Sequence, residues 1–277
     1  MTLIHSTSEF GNWRESVANQ TIAFVPTMGS LHRGHHSLIT HAAQQCDLVV
    51  VSIFVNALQF GDANDYNNYP RDEHSDYLAS ISIGANVVFA PHQHEIFPAD
   101  FNRYLTPSAI ANNYEGLHRP GHFAGVVTVV NRLFDIVQPD VAIFGAKDYQ
   151  QVSVIRAMSD NFHPTIRIVA LKTVRDTDGL ALSSRNSRLT TASRLQAQVI
   201  PRALQAIANL HAQGEKRSHV LKSEGLKNFG AEPNMHVEYL EIVHKDTLNT
   251  VDEARNAVVL FAGVIDGVRL IDNLLLQ

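Results

Sequence analysis

Cysteine is almost absent from this chain, since Cys46 is the one thiol among 277 residues. A lone cysteine excludes a disulfide within the chain and is typical of proteins kept in a reducing compartment. No basic-then-apolar stretch opens the sequence, and no apolar run is long enough to span a bilayer. We therefore expect a soluble, cytoplasmic protein that has no membrane partner.

Positive charge is not concentrated anywhere along the chain. There are 22 Lys and Arg against 27 Asp and Glu, a formal net charge of -5. No long basic block is present, so the sequence does not predict a nucleic-acid partner. The length allows a substantial core in one large domain or two, and we expect two.

Three familiar catalytic signatures are missing as well. No G-x4-GK[ST] occurs, which excludes a P-loop, and the lack of G-x-G-x-x-G disfavours a dinucleotide site. No G-x-S-x-G elbow is present, which disfavours a Ser/His/Asp hydrolase. Zinc binding stays open as a minor alternative, although no cysteine partner is available. Its candidate ligands are His32, His35 and His36, or His92 and His94 with Glu95.

Strand-like and helix-like segments alternate through the first two-thirds of the chain. Strands are predicted at 22–26, 48–55, 86–90, 141–144 and 166–170, and helices at 35–45, 71–83, 123–137 and 149–160. The continuous apolar, β-branched run over 48–55 is typical of a parallel strand covered on both faces. The pattern predicts an α/β fold, a Rossmann-like doubly wound parallel sheet over residues 1–173. In such sheets ligands lie beyond the carboxyl ends of the strands, near the switch point.

The pattern changes after about residue 173. A polar loop is predicted over 173–189, helices over 190–211 and 217–229, and strands over 237–243, 257–264 and 268–271. We interpret residues 174–277 as a smaller C-terminal α+β lid domain.

The most informative stretch follows the first predicted strand. It contains the motif HxGH, with His32 and His35 on either side of Arg33 and Gly34. If a helix begins near His35, its N–H groups and positive dipole end favour an anion such as a phosphate chain. A structural interpretation is equally open for the motif alone: one imidazole caps the helix and the other is solvated.

Two further motifs follow the ends of predicted strands. Asn56 and Gln59 offer uncharged donors and acceptors, which suit a hydroxyl and a carboxylate. Lys147, beside Asp148, can neutralise phosphate oxygens as a compact point charge. Each pair alone is also compatible with an ordinary turn or a surface ion pair. Together with HxGH, they would meet in one crevice at the carboxyl edge of the sheet.

Two loops complete the set of candidates. Ser183, Ser184 and Arg185 form a donor cluster on a predicted loop, well matched to a polyphosphate, although serine-rich loops are commonly just loops. The RPGH sequence at 119–122 could line the crevice or simply form a rigid turn.

Six segments in this order resemble the pantothenate synthetase family over essentially the full length. They are PTMGSLHRGH (26–35), FVNALQF (54–60), YPRDEHSDY (69–77), RPGHFAGVVTVV (119–130), FGAKDYQQ (144–151) and DGLALSSRNSRL (178–189). The resemblance implies an HxGH nucleotidyltransferase relative in which the serine–arginine loop acts as the KMSKS loop of class I tRNA synthetases does. It also implies ATP-dependent condensation of pantoate with β-alanine through a pantoyl adenylate, in a magnesium-requiring cytoplasmic homodimer.

The resemblance also implies site residues. The catalytic set is His35 (the proton donor), His32, Lys147, Ser183 and Arg185. The ATP-binding set is Pro26, Met28, Gly29, Ser30, Leu31, His32, Arg33, Gly34, His35, Gly145, Ala146, Lys147, Asp148, Val174, Leu182, Ser183, Ser184 and Arg185. Pantoate would be held by Asn56, Gln59 and Gln151, with Asp76 as a weak metal candidate because ATP itself would carry most of the Mg²⁺.

Three positions depart from the family pattern. Ala57 stands in place of a proline, Ala146 in place of a glutamate, and Ser75 in place of an acidic residue. None removes a principal charge, so we expect activity. The competing hypotheses are a nucleotidyltransferase that leaves AMP on its product and a non-catalytic nucleotide-binding protein.

Overall fold

The computed structural model describes residues 2–230, 232 and 234–276. The chain forms two units, one of Met1–Ala146 and Gln150–Lys172, the other of Lys147–Tyr149 and Thr173–Gln277. This division differs from the predicted domains, 1–173 and 174–277, by Thr173 and by the segment Lys147–Tyr149.

The first unit contains a six-stranded parallel sheet. Its strands are β1 (Thr2–Ile4), β2 (Ile22–Thr27), β3 (Leu48–Ile53), β4 (Val87–Phe89), β5 (Val141–Gly145) and β6 (Arg167–Leu171). Their order is β1-β4-β3-β2-β5-β6, and every pairing is parallel. The predicted Rossmann-like sheet is confirmed. The chain moves outward from β2 through β3 to β4 and then returns to the other side of β2, so the strand order reverses beside β2.

The helices up to residue 172 connect these strands. They are α1 (Thr7–Ser16), α2 (Arg33–Ala42), α3 (Ala63–Asn67), α4 (Glu73–Ile83), α5 (Gln93–Ile96), α6 (Glu115–His118), α7 (His122–Val137) and α8 (Tyr149–Phe162). The sequence did not predict α1 because Phe10 is its one buried residue, so no apolar stripe marks it. Among the described residues, no helix has the length and hydropathy that crossing a bilayer requires.

Apolar side chains cover both faces of the sheet. Phe24 and Val50 point to one face and pack in a cluster with Phe134 of α7. Val25 and Val51, the next residues along the same strands, point to the other face. Successive residues of a strand alternate in direction, so a strand buried on both sides has to be apolar throughout.

The second unit is an α+β structure, as predicted. Its elements are α9 (Thr191–Ala197), α10 (Val199–Ala212), α11 (Ser218–Gly230), β7 (His236–His244), β8 (Ala257–Ile265) and β9 (Val268–Leu276). The strands form an antiparallel sheet in the order β7-β8-β9. The helices and the sheet bury one shared apolar cluster.

Two predictions for the second unit are wrong in extent. The single helix over 190–211 is two helices, because Pro201 has no N–H to donate to the carbonyl of Ala197 and the helical turn is interrupted at Gln198. The last strand continues to Leu276 instead of stopping at 271. The polar pair Asp272 and Asn273 interrupts the apolar pattern of the sequence, but both residues are buried within the strand.

Candidate active site

The loop between β2 and α2 lies at the switch point of the sheet. Gly29 and Ser30 have left-handed backbone conformations, with φ of 80° and 52°. Such a conformation is uncommon for a residue with a Cβ, so Ser30 needs support from its surroundings. Helix α2 then begins at Arg33, two residues earlier than predicted.

Asp76 of α4 supplies that support. It is 5% exposed, and its two carboxylate oxygens accept the backbone N–H groups of Ser30 and Leu31, each at 2.8 Å. A Cβ at Gly29 would lie 2.7 Å from Asp76 Oδ2, so a larger residue would push the carboxylate away. These contacts hold the loop, and the role of Asp76 as a weak metal candidate stays a prediction. The described residues contain no group of three His, Cys, Asp or Glu that could hold a metal ion.

The two histidines form the N-terminal cap of α2. His32 Nδ1 accepts the N–H of Gly34 at 3.1 Å, and His35 Nδ1 accepts the N–H of His32 at 3.3 Å. Their rings lie 4.1 Å apart between centroids. A neutral imidazole has one N–H, so acceptance at Nδ1 leaves the proton of each ring on Nε2. Helix capping and donation to a ligand therefore use opposite nitrogens of the same ring.

The turn after β3 is built around Asn56, which is 1% exposed. Its Oδ1 accepts the N–H of Leu58 at 3.2 Å, and its Nδ2 donates to Gln59 Oε1 and Gly125 O, both at 3.1 Å. Gln59 Nε2 in turn donates to Met28 Sδ at 3.0 Å. The Asn56–Gln59 pair and the HxGH loop are thus brought together, and Asn56 acts as the anchor of Gln59.

Helix α7 packs unusually close to this turn. A Cβ on Gly125 would lie 2.5 Å from the carbonyl carbon of Leu58 and 2.6 Å from the N of Gln59, both backbone atoms. Buried His122 Nδ1 also contacts the backbone oxygen of Gln59 at 2.8 Å, and Arg119 Nη1 donates to His122 Nε2 at 3.0 Å. The RPGH segment therefore supports the pantoate candidates through the backbone of Gln59.

Gln151 is partly exposed at the start of α8, and its neighbour Gln150 is buried. Gln150 accepts the N–H of Glu115 at 3.0 Å and donates to the carbonyls of Ile110 and Asn113, each at 2.8 Å. Sequence reasoning missed Gln150, which fixes the 110–115 loop. Gly145 is the last residue of β5, which pairs with β2, and Ala146 follows it, as expected for this edge.

The second unit brings three of the predicted catalytic residues together. Lys147, Ser183 and Arg185 line one cleft of that unit. The full lining is Lys147, Leu180, Ala181, Ser183, Arg185, Asn186, Ile200, Arg269, Leu270, Ile271 and Asp272. Lys147 Nζ lies 3.7 Å from Asp148 Oδ2, and the lysine side chain is 19% exposed. Its cationic residues make this cleft suited to an anion.

The predicted polar loop is an ordered support for Ser183 and Arg185. Leu182 N donates to Val174 O at 2.9 Å, and the chain then enters a 3₁₀ helix over Ser184–Arg188. Ser183 caps that helix through its Oγ, which accepts the N–H of Arg185 at 3.3 Å. The buried amide of Asn186 donates to Ala181 O at 3.0 Å.

Arg194 of α9 is hydrogen-bonded to the turn that contains Asp176 and Asp178. Its Nε donates to Asp178 Oδ2 at 2.8 Å and its Nη2 to Asp176 Oδ2 at 2.7 Å, and these bonds raise the pKa of the guanidinium although burial lowers it. Sequence reasoning missed these supports, because residues 16 and 18 positions apart give no local signal.

Taken unit by unit, the candidates fall into two sets. Residues 26–35, Asn56, Gln59, Asp76, Gly145, Ala146 and Gln151 belong to the first unit, whereas Lys147, Asp148, Val174 and 182–185 belong to the second. The set in the first unit extends from the strand ends at the switch point, where Rossmann-type sheets bind ligands. The fold and these residues define a Rossmann-type α/β protein with an HxGH motif at the N-terminus of α2.

The chain belongs to the pantoate–β-alanine ligase family, whose model, described as Pantoate-beta-alanine ligase, matches residues 2–275. A pantothenate synthetase of Chloroflexus aggregans is 43% identical over 278 residues, covering 100% of both chains. The predicted family is confirmed.

Solved structures agree with this assignment. The pantothenate synthetase of Thermus thermophilus is 40% identical, covers 100% of both chains and superposes with a TM-score of 0.94. A pantoate–β-alanine ligase of Francisella tularensis, complexed with beta-gamma ATP and β-alanine, is 34% identical with a TM-score of 0.81 and covers 99% and 97% of the two chains.

Proposed function

We propose that this chain condenses pantoate with β-alanine at the expense of ATP, releasing pantothenate, AMP and pyrophosphate. The observation that carries the proposal is the HxGH loop at the switch point, where two imidazoles cap α2 and Met28 of the same loop contacts Gln59. Family membership and the Francisella relative complexed with beta-gamma ATP and β-alanine support the same substrates.

The chemistry proceeds in two steps. A pantoate carboxylate oxygen attacks the α-phosphorus of ATP, the bond to the β-phosphate breaks, and pyrophosphate leaves. The β-alanine amine then attacks the acyl carbon of the pantoyl adenylate and loses a proton, and AMP leaves. The first step accumulates negative charge on phosphoryl oxygens, so it requires preplaced donors more than covalent groups.

The donors are assigned residue by residue. His32 and His35 donate from Nε2 to the phosphates of ATP, and His35 is the proton donor. Lys147, Ser183, Ser184 and Arg185 hold the phosphates during adenylation. The backbone of 28–35, the segment 145–148, Val174 and Leu182 surround the nucleotide. Removing one such donor typically costs roughly 10²–10³ in rate.

Gln59 and Gln151 hold pantoate. Asn56 contributes through Gln59, since its own amide is buried and bonded to Gln59 Oε1, Gly125 O and the N–H of Leu58. Because Asn56 fixes the Gln59 amide, the remaining donor and acceptor positions of that amide have one direction, which suits a hydroxyl or a carboxylate.

Magnesium enters as part of the substrate. Both oxygens of Asp76 already accept backbone N–H groups, and the described residues offer no cluster of metal ligands. Mg²⁺ commonly keeps several waters and is bound largely through substrate phosphates. We therefore assign its coordination to ATP and derive no step through a protein-bound ion.

The assembly and location of the protein are also proposals. We propose a cytoplasmic homodimer with small-molecule substrates and without a nucleic-acid or membrane partner, and we interpret residues 174–277 as a lid. Light scattering of the purified chain measures the oligomeric state directly, and a monomer at micromolar concentration would contradict the dimer.

The reaction is tested by isotope exchange. Labelled pyrophosphate should enter ATP when pantoate is present, and AMP should appear only after β-alanine is added. Release of ADP would exclude the adenylate mechanism. A product that retains AMP would instead indicate the nucleotidyltransferase, and absence of both exchange and turnover would indicate a nucleotide-binding protein without catalysis.

A further inference from the structure

Strand β9 carries two adjacent polar residues in an otherwise apolar segment. Asp272 is 3% and Asn273 is 7% exposed, between Ile271 and Leu274 of the sequence VRLIDNLLL. Burying a charge and an amide costs free energy unless both are hydrogen-bonded, so their partners show what they hold.

Asp272 holds the hairpin that leads into Ser183. Arg175 Nη1 lies 2.6 Å from Asp272 Oδ2, and Arg175 Nη2 lies 2.9 Å from Oδ1. The same Nη1 donates to Gly179 O at 3.0 Å, and Arg175 forms an antiparallel bridge with Ala181. The two hydrogen bonds between the planar guanidinium and the planar carboxylate fix the relative orientation of the two groups as well as their distance. Asp272 therefore fixes Arg175 at the start of the hairpin and, through Arg175, Gly179 at its tip.

Asn273 holds the other cationic segment. Its Nδ2 donates to the carbonyl oxygen of Lys147 at 2.8 Å, across 126 positions of sequence. Its own carbonyl accepts from Arg175 Nη2 at 3.4 Å. Tyr149 Oη, two residues beyond Lys147, donates to Lys245 O at 2.9 Å, so the short segment 147–149 is anchored on the second unit at two points.

We infer that Asp272 and Asn273 are positioning residues for adenylation. From neighbouring positions of β9, they hold Lys147 and the Ser183–Arg185 loop at a fixed distance from each other. The inference rests on the proposed function, which assigns those groups to the ATP phosphates. Two neighbouring residues of one strand hold both segments, so the distance between the two sets of donors is fixed by β9 itself. A displacement of about 1 Å in such donors costs roughly 10²-fold in rate.

The experiment compares the two half-reactions in the full-length enzyme. Asp272→Asn removes the charge with little change of shape, and Asn273→Asp replaces the donor facing Lys147 O by an acceptor. Each should lower the rate of pantoate-dependent pyrophosphate exchange by roughly 10²-fold. Aminolysis of chemically supplied pantoyl adenylate by β-alanine needs no β- or γ-phosphate, so it should keep most of its rate. Lys147→Ala should show the same unequal loss.

Two controls separate positioning from general stability. Glu241→Gln removes a carboxylate of β7 in the same sheet, where it pairs with Lys222 at 2.7 Å, and should leave both half-reactions unchanged. If Asp272→Asn does not fold, Arg175→Lys tests the same contact, because lysine keeps the charge and loses the two-point geometry.

The outcomes are distinct. Equal loss in both half-reactions, or near-normal exchange in folded variants, would overturn the inference. If Lys147→Ala itself exchanges normally, the assignment of Lys147 in the proposed function fails instead.

Discussion

Each imidazole of the HxGH motif caps α2 with one nitrogen and, in the proposed function, donates to ATP with the other. Nδ1 accepts a backbone N–H and closes the first turn of α2, which leaves the ring proton on Nε2. Histidine is suited to this position because it combines a capping acceptor with a donor on the far side of the ring. The structural and functional interpretations of the motif are therefore compatible.

His35→Asn separates the two tasks. The Oδ1 of asparagine can take the place of Nδ1 and accept the N–H of His32, whereas no atom replaces Nε2. We expect an unchanged melting temperature and a loss of roughly 10²–10³ in pyrophosphate exchange. His35→Ala is the companion variant. It also loses the cap, so its free energy of unfolding should be lower by about 0.5–2 kcal/mol. An active His35→Asn enzyme would contradict the role given to Nε2.

Asp76→Asn tests the carboxylate behind the HxGH loop. An amide can accept with one atom only, so either Ser30 N or Leu31 N would face an NH₂ group. Because the carboxylate is buried, we expect the free energy of unfolding to fall by about 1–3 kcal/mol. Exchange should fall as well, as measured beside a denaturant titration. Glu73→Gln, an exposed carboxylate-to-amide change on the same helix, is the control and should alter neither.

At the scale of elements, the contact between α7 and the 57–59 turn fixes the position of Gln59, a proposed pantoate ligand. The helix backbone reaches the turn because Gly125 has no side chain, and Asn56 Nδ2 then bonds to Gly125 O. Ala57 in place of the family's proline does not prevent this turn, since Asn56 Oδ1 caps it by accepting the N–H of Leu58.

Gly125→Ala should push these two elements apart. Its Cβ would meet backbone atoms of Leu58 and Gln59, which cannot move aside as a flexible side chain can. We expect a destabilisation of about 1–3 kcal/mol, which is typical of overpacking, together with a higher KM for pantoate. Gly11→Ala in α1, where nothing lies within 4 Å, should instead stabilise by up to about 1 kcal/mol. Equal effects of the two changes would refute this account of the helix contact.

At the scale of the whole molecule, the stability should depend on pH through a partly buried histidine. Burial lowers the pKa of His163 below its ordinary 6.5, although nearby Asp135 opposes the shift. The neutral ring contacts Asn131 Oδ1 at 3.0 Å and packs edge-on against Phe134. The unfolded chain binds the proton more readily, so this contribution is complete above pH 6.5 and is lost as the pH falls towards the lower folded-state pKa.

His163→Gln should therefore reduce the loss of stability that occurs as the pH falls. The melting temperature of the wild type should decrease more between about pH 7.5 and about pH 5.5 than that of the variant. His94→Gln, whose side chain is 75% exposed in the wild type, should leave the slope unchanged. Parallel slopes for all three proteins would show that His163 does not contribute.

Prediction from the sequence succeeded where the signal is local or periodic. The apolar runs of β2, β3 and β5 predicted strands, and the motifs at their ends and in the serine loop are four of the six segments that carry the resemblance to the family. It failed where the cause is distant, since nothing adjacent to Asp76 points to Ser30 and Leu31. The break at Gln198 is the exception, because its cause, Pro201, is local.

The sequence by itself determined the fold class, the family and the identity of the charged and donor residues, because these depend on residue types and short spacings. Only the tertiary structure decided how those residues are held. Asp76 supports a loop 46 positions away, and Asn273 holds Lys147 across 126 positions. Buried polar groups have to find partners wherever the packed chain places them, and sequence spacing does not encode that distance.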